Sequence, residues 1–151
     1  MVPFVVTVEM PNSKSWVKAV AVVEDPNNHL RALTFHSPLT LGSYPWVWDF
    51  GTDRWTYGAL RNEGSSVVLK NEVPVEGEGR WWVDTGPTGQ ERPYETTGST
   101  SPVLPGWGHL QGATEVVAFA VDQFAADAGT YGISFNGSGQ MAFEVVPAGA
   151  V

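Results

Sequence analysis

Seven tryptophans in 151 residues define the chemistry most open to this chain. In Arg80-Trp81-Trp82-Val83-Asp84, strand alternation sends Trp81 and Val83 one way and Arg80, Trp82 and Asp84 the other. Trp82 then keeps polar company. An indole flanked by a guanidinium and a carboxylate suits a sugar ring, whose axial C–H groups sit on the electron-rich π face while the charged groups bond to hydroxyls. The same pattern equally suits Arg80 packed over the indole as a cation–π pair. Pro105-Gly106-Trp107-Gly108-His109 sets another indole between two glycines, which remove steric cover from the ring. Trp107 is either a binding finger or a plug that pins its loop to a sheet. Arg92 and Tyr94 lie in the same irregular stretch and would add polar contacts.

The remaining reactive side chains form no motif. His29, His36 and His109 include no H-x-H and no H-E-x-x-H, and His29 and His36 are spaced to point to opposite faces of a regular strand. No transition-metal site and no cofactor are expected on this pattern. The cupin-type pair of histidines with a downstream glutamate is missing. Asp122 and Asp127, with neighbouring carbonyls, are the candidates for a structural Ca²⁺. Glu63, Glu72, Glu76, Glu78, Glu91 and Glu95 fall in loop-like segments. Glycoside cleavage needs two carboxylates about 5.5 Å or about 6.5–9.5 Å apart, a spacing that sequence does not fix. No G-x-S-x-G occurs, and Asn136-Gly137-Ser138-Gly139 reads as a turn rather than a nucleophile elbow.

Charge narrows the partners. The net charge is −8, and the eight basic residues are scattered in sequence, so a phosphate-neutralising stripe is not expected, nor is docking on an anionic membrane. The lack of cysteine excludes disulfides and thiolate metal sites. Met1 to Glu9 has no basic region ahead of a long apolar run and reads as a first strand, not a signal peptide. No segment approaches the roughly 20 apolar residues of a membrane helix. These features fit a cytosolic chain, a virion component or a module of a larger secreted protein.

The elements that must position these side chains are strands. Phe4–Met10, Trp16–Val23, Leu30–His36, Ser66–Leu69, Arg80–Val83, Glu115–Val121, Tyr131–Phe135 and Met141–Val146 alternate or carry β-branched runs between turn residues. Tyr44 to Tyr57 reads as a hairpin turning at Gly51-Thr52. That register pairs Phe50 with Asp53, Trp48 with Trp55 and Trp46 with Tyr57. Trp46, Trp48, Trp55 and Tyr57 then share one face, opposite Val47, Asp49, Arg54 and Thr56. Since the second face suits water, the aromatic face is read as core; an aromatic sugar platform is the alternative. Asp122 to Ala128 could hold one helical turn. Asp84 to Gly108 lacks alternation and reads as a long loop, either a surface excursion or a binding segment. The count predicts a single all-β domain: a two-sheet antiparallel β-sandwich or jelly roll of about nine strands.

Asp127-Ala128-Gly129-Thr130-Tyr131-Gly132-Ile133 resembles the D-x-G-x-Y segment of immunoglobulin-like domains. The hairpin that follows, through Asn136-Gly137-Ser138-Gly139 to Val145, is similar to their last two strands. The resemblance covers about the last 25 residues. It implies that Tyr131 makes a tyrosine corner with upstream backbone. Ile133 stands where the family's second cysteine would be, and the chain is about half again as long as that fold.

Together these residues predict a non-catalytic carbohydrate-binding domain, with Trp82 and Trp107 stacking on a glycan or polysaccharide and Arg80, Asp84, Arg92 and Tyr94 in polar contact. The alternative is a structural or assembly β-sandwich of virion or surface-layer type, which would form a homo-oligomer. A small glycan-acting enzyme is a third reading.

Overall fold

The computed structural model describes residues 2–27, 29–86, 91–96, 104–122 and 124–149. Twelve strands run in chain order: β1 (Phe4–Glu9), β2 (Lys18–Val23), β3 (Leu33–Pro38), β4 (Trp46–Phe50), β5 (Tyr57–Leu60), β6 (Ser66–Val73), β7 (Arg80–Thr85), β8 (Glu91–Glu95), β9 (Trp107–Gln111), β10 (Val116–Ala120), β11 (Gly129–Asn136) and β12 (Gln140–Pro147). All pairings are antiparallel. A six-stranded sheet has the order β3-β12-β11-β6-β7-β8, and a four-stranded sheet the order β10-β9-β4-β5. β1 and β2 pair only with each other.

The two larger sheets make the expected sandwich, and their facing sides supply its core. Alternation puts Val67 and Leu69 of β6, Trp81 and Val83 of β7 and Ile133 and Phe135 of β11 inward from one sheet. Trp46, Trp48 and Phe50 of β4, with Leu60 and Leu110, face them from the other. Phe50 stacks on Phe135 at 5.4 Å between centroids, and Phe119 meets Phe135 edge-on at 5.6 Å. Asn71 is a buried polar residue in this interior. Its amide donates to the Arg80 carbonyl at 3.1 Å, and its oxygen accepts the Leu104 N–H at 3.3 Å, which offsets the cost of burying it.

Strand β8 and the start of β9, Trp107 and Gly108, lie inside the stretch expected to be one long loop, and neither strand was among the about nine expected. β8 contains Pro93 and three charged residues. It is the last strand of its sheet, and proline is tolerated at an edge because no neighbour needs its missing N–H. Residues 87–90 and 97–103 of that stretch lie outside the described residues. Around Asp122 to Ala128 the described residues make turns and no helix.

The β4–β5 hairpin departs from the expected register by three residues. Trp48 pairs with Gly58, Trp46 with Leu60 and Asp49 with Tyr57. The reason is steric. A Cβ on Gly58 would stand 2.4 Å from the Trp48 ring, so the buried indole lies across its glycine partner. A second indole opposite Trp48 would have no such room. The slip moves the turn into a longer loop, closed by the Phe50 N–H to the Thr56 carbonyl at 3.1 Å. Thr52 knits that loop through Arg54 N–H to Thr52 Oγ1 at 3.2 Å. An odd slip also reverses faces: Trp46 and Trp48 are core as expected, whereas Trp55 and Tyr57 turn to solvent.

The β11–β12 hairpin forms where expected. Asn136 pairs with Gln140, and Gly139 takes the left-handed conformation, φ 85°, that a three-residue loop needs at its last position.

Candidate functional site

The six candidate residues fall into three separate places. Arg80, Trp82, Asp84 and Arg92 meet on the outer face of the six-stranded sheet. The Trp82 indole N–H donates to Asp84 Oδ2 at 2.9 Å. Arg92 Nε donates to Asp84 Oδ1 at 2.8 Å, and the Asp84 carboxylate raises the Arg92 pKa. The guanidinium carbons of Arg80 and Arg92 stand 5.1 and 5.0 Å from the Trp82 ring centre, and Arg80 is tied to Glu72 at 2.6 Å. A shift in the β7–β8 register between Val83 and Thr85 sets Asp84 where both bonds form. The arrangement is the cation–π alternative read from the sequence, doubled. Its charged groups are spent on one another, and the ring is half-buried.

Tyr94 points the other way, toward the interior edge. Its ring meets Trp48 edge-on at 6.4 Å, and its hydroxyl donates to the Tyr57 carbonyl at 3.0 Å, linking the two sheets. It borders a groove of about 500 Å³ with Tyr57, Arg61, Ser66 and Glu91.

Trp107 is on the four-stranded sheet. Its carbonyl accepts the Gly51 N–H at 2.9 Å, and a Cβ on Gly51 would meet the indole at 2.4 Å. The ring therefore rests on a cross-strand glycine, as Trp48 does inside, but on the outer face and 43% exposed. Beside it runs an open groove of about 380 Å³, lined by Asp49, Asp53, Arg54, Trp55, Tyr57 and Trp107 among others. Trp55 is 88% and Tyr57 58% exposed. The expected register places both on one face with Trp46 and Trp48, as core or as a sugar platform; the slip separates them from those two tryptophans and brings them here. Asp53-Arg54 next to Trp55 was the available signal, since two charges fit a loop tip better than a strand turning at Gly51.

A larger surface continues from this groove. The register places Val116, Ala118 and Ala120 of β10, Trp107, His109 and Gln111 of β9, Val47 and Asp49 of β4, and Tyr57 and Ala59 of β5 on one outward face. Asp49 is its one carboxylate, and it holds no lysine or arginine. The β1–β2 hairpin adds a second apolar surface. Phe4, Val6 and Val8 share a face with their partners Val23, Ala21 and Ala19, with no polar side chain among the six. All of β1 is exposed, Phe4 at 69% and Val8 at 56%. The connection between the strands adds exposed Met10, Trp16 and Val17.

No three His, Asp or Glu side chains gather into a metal-sized cluster among the described residues, and no described helix is long and apolar enough to cross a membrane. Compared with known protein families, with curated proteins and with solved structures, the chain finds no match in any of the three.

Proposed function

We propose that this chain is a structural β-sandwich that works by assembling with other protein surfaces, the β1–β2 hairpin serving as its docking arm. The observation that carries this reading is the apolar face of that hairpin, exposed along β1 at Phe4, Val6 and Val8 and half-buried at Ala21 and Val23. An isolated two-stranded hairpin is marginal in water, and each Val or Phe fully removed from water contributes about 1.5–3 kcal/mol. Exposed contiguous apolar surface marks an interaction site, and on this arm every side chain of one face is apolar. The solvent-facing Trp55, Tyr57 and Trp107 suit the same role, because aromatic residues are enriched at protein interfaces.

Sedimentation velocity over a micromolar concentration series tests the reading. The chain should self-associate, and Val6→Asp with Val8→Asp should return it to monomer while its circular dichroism stays unchanged. A monomer throughout the series overturns the reading.

Carbohydrate binding is a second reading, favoured by one observation: exposed Trp55, Tyr57 and Trp107 border a single groove beside Asp49, Asp53 and Arg54. Flat rings with hydrogen-bonding groups at their edges suit a sugar. This reading moves the site away from Trp82, keeps Trp107 and adds Trp55 and Tyr57.

An immunoglobulin-like relation is also proposed. The Tyr131 hydroxyl donates to the Asp127 carbonyl at 3.0 Å, the bond a tyrosine corner makes, and β11 lies between β12 and β6, as the penultimate strand of that fold lies between the last and the third. Against it, β10 is an edge strand, while the strand before the corner lies inside its sheet in that family.

A further inference from the structure

The arm's apolar face suits a partner surface, and the chain itself carries one of matching size, largely apolar apart from His109, Gln111 and Asp49. Resting on the assembly reading, we infer that the β1–β2 arm of one copy seats its Phe4-Val6-Val8 face on the outer face of the four-stranded sheet of a second copy, so that copies join head to tail. Two strands of six residues make an arm about 20 Å long and about 10 Å wide. Four strands side by side span about 15–20 Å, so one arm crosses the sheet once.

The side chains complement each other. The arm offers large residues, Phe4, Val6, Val8 and Val23, and the β10 edge of the sheet offers Ala118 and Ala120. Large against small lets facing sheets interdigitate at their usual spacing of about 10 Å. Charge allows the approach. Up to Glu24 the chain holds Lys14 and Lys18 against Glu9 and Glu24, so its arm is neutral and the net −8 belongs entirely to the rest. A neutral arm meets no repulsion from an acidic body, whereas two bodies meeting directly would.

The footprint also sets the strength. Seating the arm removes on the order of 600 Å² from water over both partners, well below the roughly 1,600 Å² of a standard interface. One contact is therefore weak. Each copy makes two, one through its arm and one through its sheet, so association grows with concentration, and a heterologous contact of this kind gives a ring or an open filament rather than a closed pair.

The absence of cysteine allows a direct test. Val6→Cys is prepared in one batch and Ala118→Cys in another, the second carrying a size tag, and the two are mixed with a short bis-maleimide. The expected product is a mixed dimer in excess of either homodimer. A Val6→Cys homodimer as the main product means arm meets arm and overturns the head-to-tail seat. A double-variant chain that links within itself as a monomer overturns the second copy as partner. An oligomer in sedimentation with no mixed link overturns the seat while leaving the assembly reading standing, whereas a monomer in sedimentation overturns both.

Discussion

Trp48 and Trp107 make the same local choice with opposite consequences. Each indole lies across a glycine on the neighbouring strand, Gly58 inside the sandwich and Gly51 outside it, the packing by which an aromatic ring shields glycine backbone in a sheet. Inside, the ring is locked. Outside, the edge away from Gly51 stays open to the groove. If a glycan uses that groove, titration with cellohexaose, chitohexaose and laminarihexaose should shift tryptophan emission for at least one of them. Trp55→Ala and Trp107→Ala should each weaken the response at least tenfold, about 1.4 kcal/mol, without changing the unfolding midpoint. Trp82→Ala should leave it unchanged, because two arginines already stand over that ring. A flat response across the panel removes the carbohydrate reading and leaves these aromatics to the protein interface.

At the scale of elements, β9 is placed by what it lacks. A Cβ on Gly108 would sit 2.8 Å from the Asp49 carbonyl oxygen and 2.9 Å from the rings of Phe119 and Phe50. Gly108→Ala should therefore push β9 off β4 and cost about 1–3 kcal/mol, the usual range for overpacking, seen as a lower urea midpoint. An unchanged midpoint would mean the strands are not this close. The same glycine explains what could be read beforehand. Strands whose inward positions hold large apolar or aromatic side chains, such as β6, β7, β11 and β12, announce themselves by alternation, and the sandwich followed from them. β9 fills an inward position with glycine, and β8 carries Pro93 in mid-strand, so their periodicity is silent. The β4–β5 register failed for a related reason. Alternation fits the slipped and unslipped hairpins equally, and the glycine opposite Trp48 decides between them. The groove of Trp55, Tyr57 and Trp107 depends on that slip, so sequence offered Trp107 as a separate candidate and Trp55 and Tyr57 only within the alternative platform shared with Trp46 and Trp48. The apolar face of β1–β2 was legible as alternation, but not its exposure, because the same pattern describes a core strand.

On the scale of the whole molecule, two forces set whether copies meet. Eight excess negative charges resist crowding acidic bodies together, and apolar side chains exposed on arm and sheet favour it. Salt acts on the two in a known direction. Sodium chloride screens the repulsion, with a Debye length falling from about 30 Å at 0.01 M to about 8 Å at 0.15 M, and leaves the apolar contact intact. Sulfate at equal ionic strength also strengthens apolar burial by its exclusion from protein surface. The weight-average mass in sedimentation equilibrium should therefore rise with sodium chloride and rise further with sodium sulfate. Val6→Asp with Val8→Asp should abolish the rise in both salts, because it places charge in the middle of the arm. An interface held by ion pairs would respond in the opposite sense, and a mass that falls as salt is added would assign the contact to charged side chains instead of Phe4, Val6 and Val8.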